Sequence, residues 1–225
     1  MAVLAAPHRE TISPAMHLLM EWIGQQAFSS RFYLAGGTAL ALRLGHRRSI
    51  DLDFFSERDE VHERTRQEMI RAFSTRKAEV LENVDGNLLI NVDGLHVGFF
   101  SYGYALLEPT EMVGNIHLAS LLDLGLMKLD ALMGRGMRKD FYDVYFFAPH
   151  IPLDELVARW EDKYSHSRGL RMRLLTALVD FAIADQQQDP ILLAPVSWRQ
   201  VKTFCEAEAR RLSNLWFAQT DSERS

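Results

Sequence analysis

Two acidic residues, Asp51 and Asp53, lie two positions apart in the apolar segment Ile50–Phe55. In a β-strand, residues two apart project from the same face, so the two carboxylates point the same way. Surface strands often carry alternating acids, but Phe54 and Phe55 indicate that this strand is buried. A buried carboxylate pair is costly without a cation. Since oxygen ligands suit Mg²⁺, the spacing predicts a magnesium site at Asp51 and Asp53.

A glycine turn, Gly36-Gly37-Thr38, precedes the acidic pair by about a dozen residues. Backbone N–H groups at a helix start are a usual seat for phosphate, although a glycine pair alone is more often a tight turn. A phosphate seat beside a metal site indicates phosphoryl or nucleotidyl transfer. The basic loop His46-Arg47-Arg48-Ser49 is either a solvated loop or a support that contacts substrate phosphates.

A second cluster of charges lies in the later segment 128–147. Such a cluster of basic side chains in a largely apolar stretch could hold a triphosphate or an RNA backbone. Its members are Lys128, Arg135, Arg138 and Lys139. The alternative is an ordinary ion pair between Lys139 and Asp143, four residues apart on a helix. Spacing alone does not decide between these two interpretations.

The elements that must position these residues are read from periodicity, caps and turn signals. Helices are predicted at Ser13–Ser29, Thr38–Leu44, Ser56–Phe73, Ala119–Met133, Arg138–Phe147, Leu153–Tyr164, Arg168–Ala184 and Ser197–Phe217. Strands are predicted at Phe32–Ala35, Ile50–Phe55, Lys77–Val84, Leu88–Val92 and Leu95–Tyr102. The pattern predicts an α/β (α+β) fold, with a mixed sheet and flanking helices in residues 1–108 and a helical half in residues 109–225.

Composition limits the class of protein. The chain has 225 residues, of which 48% are hydrophobic and 24% charged, as in an ordinary globular protein. A net charge of −5 argues against non-specific nucleic-acid binding by the whole surface. The single cysteine, Cys205, excludes an internal disulfide and favours a reducing cytoplasm. No apolar stretch is long enough for a transmembrane helix, so no membrane partner is expected.

Taken together, the motifs resemble the AbiEii/AbiGii family of abortive-infection nucleotidyltransferase toxins, whose pattern is GG[ST], then D-x-D, then K-D-x-x-D. The matching residues are Gly36-Gly37-Thr38, Asp51-Leu52-Asp53 and Lys139-Asp140-Phe141-Tyr142-Asp143. The resemblance covers roughly residues 30–150 and implies a minimal nucleotidyltransferase fold with a helical C-terminal half. It also implies Mg²⁺ (or Mn²⁺), a nucleoside triphosphate substrate, an RNA acceptor (tRNA in particular) or a protein acceptor, and an antitoxin partner.

The resemblance also implies roles for single residues. Asp51 and Asp53 are expected to bind the metal and to be catalytic. The residues expected to hold the nucleotide are Gly36, Gly37, Thr38, Lys128 and Lys139. The residues expected to support the site are Arg48, Ser49, Asp140 and Asp143.

The sequence departs from the superfamily pattern at one position. Related enzymes add a third carboxylate from a neighbouring strand, and the register predicts it near Val97 or Gly98, where no acid stands. Asp93 is the nearest acid, but it belongs to a predicted turn. A catalytically weak or inactive nucleotide- or partner-binding module on the same fold is therefore the alternative. A phosphotransferase that moves the γ-phosphate is a further one.

Overall fold

The computed structural model describes residues 2–58, 60–164 and 168–217. One sheet of seven strands contains β1 Tyr33–Leu34, β2 Asp51–Ser56, β3 Ala78–Val84, β4 Asn87–Val92, β5 Leu95–Ser101, β6 Glu111–Val113 and β7 Ile116–Leu118. The helices are α1 Pro14–Gly24, α2 Gly36–Leu44, α3 Glu63–Phe73, α4 Leu121–Arg135, α5 Arg138–Phe147, α6 Leu153–Lys163, α7 Leu170–Val179 and α8 Trp198–Phe217. The predicted mixed sheet followed by a helical C-terminal half is confirmed.

The acidic strand β2 lies at the centre of the sheet. The strand order is β3-β4-β5-β2-β1-β7-β6, with β2 parallel to β5 and antiparallel to β1. The strands β3, β4 and β5, whose positions the sequence predicted, form an antiparallel meander. In its second tight turn, Asp93 and Gly94 have φ values of 50° and 85°, as a two-residue hairpin loop requires. The site residues on β2 are therefore held by paired strands on both sides.

The chain forms two compact units, residues 1–124 and 125–225. The first contains the sheet with α1, α2 and α3, and the second contains α5 to α8 with most of α4. The sequence placed the boundary earlier, after residue 108, because the short strands β6 and β7 carry little periodic signal. β7 pairs with β1 and thereby joins residues 111–118 to the sheet. That 1–108 and 109–225 are separate folding domains stays a prediction.

Local capping chemistry explains where several helices begin and end. The Ser13 hydroxyl accepts a hydrogen bond from the Met16 N–H at 3.1 Å, which confirms the predicted start of α1. Gly45 follows α2 with φ +65° and ends the helix at the predicted residue, Leu44. The prediction that Ser56 caps the third helix is wrong, because Ser56 ends β2. His62 caps α3 instead, accepting from the Thr65 N–H.

The apolar core of the first unit lies on one face of the sheet. Leu52 and Phe54 of β2 are fully buried there. The Phe54 ring stacks on Phe99 with centroids 5.2 Å apart, and Phe28 and Phe73 contact the Phe99 ring edge-on. Because strand residues alternate between faces, Asp51 and Asp53 lie on the opposite face. In the described residues, no helix is long and apolar enough to cross a membrane.

Candidate active site

Asp51 and Asp53 share the face of β2 that is turned away from this core. Both are half-buried, whereas Leu52 between them is fully buried. The Asp51 side chain keeps 36% of its surface exposed, so solvent and ligands reach it. The strand alternation therefore delivers two neighbouring carboxylates to an accessible surface.

The glycine turn lies directly against the second of these acids. Gly36 has φ +64°, and a Cβ at this position would lie 2.8 Å from Asp53 Oδ2. The Ala35 N–H donates to the Asp53 carbonyl at 3.0 Å and fixes the turn beside the strand. Only glycine combines this backbone conformation with so close an approach. The first turn of α2 and the Asp53 carboxylate thus form one site.

The buried side chain of Thr38 connects the glycine turn to the acidic strand by hydrogen bonds. Its hydroxyl is buried and lies within hydrogen-bond distance of the Asp51 carbonyl and, at 2.8 Å, of Ser49 Oγ. Because a carbonyl only accepts, Thr38 donates to Asp51 and accepts from Ser49. The two hydroxyls, which the sequence placed among nucleotide-binding and supporting residues, connect the start of α2 to the start of β2.

The buried arginine of the basic loop before β2 lies against the turn. Arg47 is buried, and a Cβ on Gly37 would lie 2.5 Å from its Nη2. Its Nη1 donates to the Arg48 carbonyl at 3.1 Å, while the Arg48 side chain is exposed. Two consecutive arginines in a loop give no sign of which one turns inward. The guanidinium of Arg47 therefore packs against the backbone of the glycine turn at Gly37.

The neighbouring strand shows what occupies the place of a third acid. Gly98 is the Cα partner of Asp53 in the parallel pair, as the register predicted. A Cβ on Gly98 would lie 2.5 Å from two carbons of the Phe100 ring, so this ring fills the position. His96 pairs with Asp51, and its Nδ1 lies 3.5 Å from Asp51 Oδ1. In the described part of the chain, no three His, Cys, Asp or Glu side chains are grouped to hold a metal ion.

The second unit contains its own buried charge cluster. Lys128 Nζ lies 2.6 Å from Asp143 Oδ2 and 3.4 Å from Asp140 Oδ1. Arg135 donates twice to the Asp140 carboxylate, at 2.9 Å for each hydrogen bond. Burial alone would raise the pKa of Asp140, but the Arg135 hydrogen bonds and the Lys128 charge outweigh it and lower that pKa. Asp140 and Asp143 therefore fix Lys128 in place.

The other candidate lysine behaves differently. Lys139 is half-buried and, within the described residues, makes no ion pair or side-chain hydrogen bond. The simple helical pair between Lys139 and Asp143 is thus absent, because Asp143 contacts Lys128 instead. Sequence spacing could not reveal this, since Lys128 lies on the preceding helix, α4. A buried lysine held by two buried acids is an expensive arrangement, as is common at functional sites.

Cys205 is not a second reaction centre. It is fully buried in α8, and burial raises the pKa of its thiol to about 12. The thiolate is the reactive form of cysteine, so this side chain is inert near neutral pH.

Comparison with known proteins identifies a family. The family model described as "Nucleotidyl transferase AbiEii toxin, Type IV TA system" matches residues 17–214. An uncharacterized protein of Aquifex aeolicus (strain VF5) is 39% identical over 124 residues, which are 51% of this chain and 56% of that protein. The chain thus matches little more than half the length of this relative.

Solved structures share the fold. MenT4, a nucleotidyltransferase toxin of Mycobacterium tuberculosis H37Rv, superposes with a TM-score of 0.55 at 17% identity, covering 93% of this chain and 86% of MenT4. JHP933 of Helicobacter pylori superposes with a TM-score of 0.51 at 15% identity, covering 93% of both chains. At these identities the likeness shows the fold alone.

Proposed function

The chain belongs to the AbiEii family of nucleotidyltransferase toxins, and from this premise we propose that it transfers a nucleotide from a nucleoside triphosphate to an RNA, tRNA in particular, or to a protein. The observation that carries the proposal is the pair Asp51 and Asp53 on one accessible face, with Asp53 Oδ2 against the Gly36 turn. In this proposal the protein acts in abortive infection with an antitoxin partner.

The donor set fits a hard divalent cation. Asp51 and Asp53 offer carboxylate oxygens on an accessible face, which suits Mg²⁺ or Mn²⁺, with Mg²⁺ the proposed ion. Two protein ligands leave coordination positions for water and for phosphate oxygens of the nucleotide. When bound, the ion stabilises the negative charge that develops on the α-phosphate and on the departing pyrophosphate.

The residues of the chain supply binding and orientation. Backbone N–H groups at the start of α2, at Gly36 and Gly37, are proposed to hold phosphate oxygens. Lys128 and Lys139 are proposed to bind the triphosphate through their ammonium groups, with Lys128 oriented by its two acids. Thr38 keeps the Asp51 backbone in place.

The reaction is an in-line displacement at phosphorus. An acceptor hydroxyl oxygen forms a bond to the α-phosphorus, while the bond from that phosphorus to the bridging oxygen of pyrophosphate breaks. The hydroxyl proton passes to a carboxylate oxygen of the acidic pair. The products are a nucleotidylated acceptor and pyrophosphate.

The test replaces one carboxylate by its isosteric amide. Asp53→Asn should retain the fold and lower nucleotide transfer by about hundredfold or more, because a ligand of the charge-stabilising site is lost. The assay follows α-labelled nucleoside triphosphate into tRNA and into protein. Asp93→Asn is the matched control, since Asp93 lies in a turn of the same unit where asparagine adopts its φ of 50° equally well. Equal rates in the two variants would refute the role of Asp53.

A second candidate is a nucleotide-binding module without transfer, and the Phe100 ring in place of a third acid favours it. Thermal shift measurements with nucleoside triphosphate and Mg²⁺ detect binding. Binding without transfer to tRNA or protein would support this candidate. Separate α- and γ-labels distinguish nucleotidyl transfer from phosphotransfer.

A further inference from the structure

A row of aromatic rings lies beside the acidic pair in the first unit. We call Phe55, Phe100, Tyr102 and Tyr104 the aromatic surface. Phe55 stacks on Phe100 with ring centroids 5.0 Å apart, and Tyr102 contacts Phe55 edge-on at 5.3 Å. Tyr104 contacts Tyr102 at 5.0 Å. The rings therefore form one continuous apolar strip.

The strip lies on the same face of the sheet as the catalytic carboxylates. Phe55 follows Asp53 by two residues, so both side chains leave β2 on the same side. Phe100 is the Cα partner of Phe55 in β5 and shares this face. At about 3.3 Å per residue, Phe55 lies roughly 7 Å from Asp53 along the strand. A molecule that reaches Asp53 along this face passes over the rings.

Burial separates these rings from ordinary core packing. On the other face of the same strands, Phe54 and Phe99 are fully buried. In the aromatic surface, Phe55 and Phe100 are half-buried and Tyr104 keeps 39% of its surface exposed. Exposed aromatic rings grouped beside a reaction centre are typical of ligand contacts.

A buried hydroxyl continues the strip into a cavity. Tyr33 stacks on Phe55 with centroids 6.3 Å apart and is 4% exposed, yet its hydroxyl has no hydrogen-bond partner among the described residues. Tyr33 lines a cavity of about 700 Å³, whose other ionisable lining residues are Arg31, Arg58, His117, Glu57, Glu60 and Glu108. A buried hydroxyl costs free energy unless a partner satisfies it. The Tyr33 ring therefore extends the strip of stacked rings to the wall of this cavity, while its hydroxyl stays buried.

We propose that the aromatic surface stacks the unpaired nucleobases of a single-stranded RNA acceptor. Rings next to hydrogen-bonding groups are how proteins hold single-stranded RNA. The net charge of −5 gives the chain no general attraction for phosphates, so stacking must supply binding. This inference rests on the proposed function, because it names the acceptor of that reaction.

The test measures binding of a labelled single-stranded RNA by fluorescence polarisation, without nucleotide or metal. Tyr104→Ala and Tyr102→Leu should each weaken binding about fivefold or more, equivalent to about 1 kcal/mol. The matched control is Trp22→Leu, because Trp22 is half-buried and contacts Phe73 on the core side of the sheet. Circular dichroism melting verifies that each variant is folded.

Three results would overturn the inference. One is unchanged RNA affinity in both tyrosine variants, and another is equal affinity for single-stranded and duplex RNA. The third is transfer of the labelled nucleotide to protein and not to RNA. Asp53→Asn should lose transfer but retain RNA binding. Failure of the proposed reaction and failure of the proposed RNA contact are therefore distinguished by separate measurements. In transfer kinetics, Tyr104→Ala should have a higher KM for RNA than the wild-type protein and nearly the same kcat.

Discussion

The contact between Gly36 and Asp53 leads to a quantitative prediction. In Gly36→Ala, the new Cβ would lie 2.8 Å from Asp53 Oδ2, whereas ordinary contacts begin at 3.4 Å. The carboxylate must therefore retreat by the difference, 0.6 Å. A misplacement of about 1 Å can cost roughly a hundredfold in rate, so a loss of about tenfold in nucleotide transfer is expected.

The backbone strain of this substitution needs its own control. An alanine at φ +64° costs about 1–2 kcal/mol of stability whatever its surroundings. Gly114 has φ +59° in the turn between β6 and β7, and a Cβ there meets nothing within 4 Å. Gly114→Ala should therefore lose similar stability in urea unfolding and keep wild-type transfer.

The assay compares both variants with wild type by transfer of α-labelled nucleotide under conditions in which all three are folded. The difference between the two alanine variants isolates the displacement of Asp53. If Gly36→Ala transfers nucleotide as fast as Gly114→Ala, the turn does not position this carboxylate and the reasoning fails.

Two further predictions concern Gly98 and Asp140. Gly98→Asp should not restore a third metal ligand but should lower the free energy of unfolding by about 1–3 kcal/mol, because its Cβ meets the Phe100 ring; a urea-unfolding curve equal to wild type would contradict this. Arg135 and Lys128 lower the pKa of Asp140 in the folded protein despite its burial. Its ion pairs therefore stabilise the folded state fully above the pKa of about 4 that the unfolded chain has, and this stabilisation is lost as the pH falls through the lower pKa of the folded state. Asp140→Asn should therefore cost about 3 kcal/mol at neutral pH and less in acid, and a cost independent of pH in urea unfolding would count against the pairing.

The parts of the site that follow from local rules could be predicted from the sequence. The alternation of β2 placed Asp51 and Asp53 on one face, and the superfamily pattern placed the missing acid near Val97 or Gly98, where Gly98 does pair with Asp53. The first depends only on the period of two along a strand, which neighbouring residues determine. The metal and nucleotide roles of these residues stay predictions.

The parts that depend on tertiary contacts could not be predicted. Nothing in the run Arg47-Arg48 shows that the first turns inward against Gly37. The partner of Asp143 is Lys128, fifteen residues earlier on another helix, so the nearer Lys139 was an equally good candidate. The strands β6 and β7 are three residues each and carry too few residues for a periodic signal.

The order in which the strands pair bears on when the protein becomes active during its synthesis. His96, which pairs with Asp51 in the parallel pair of β2 and β5, is synthesised 45 residues later. Leu118, which pairs with Leu34 of β1, is synthesised 84 residues after Leu34. Pairings of such long range form only after the intervening chain exists. Asp51 and Asp53 are thus synthesised well before the strands that pair around them. The two acids of β2 are therefore held by paired strands on both sides only after the first unit has been fully made.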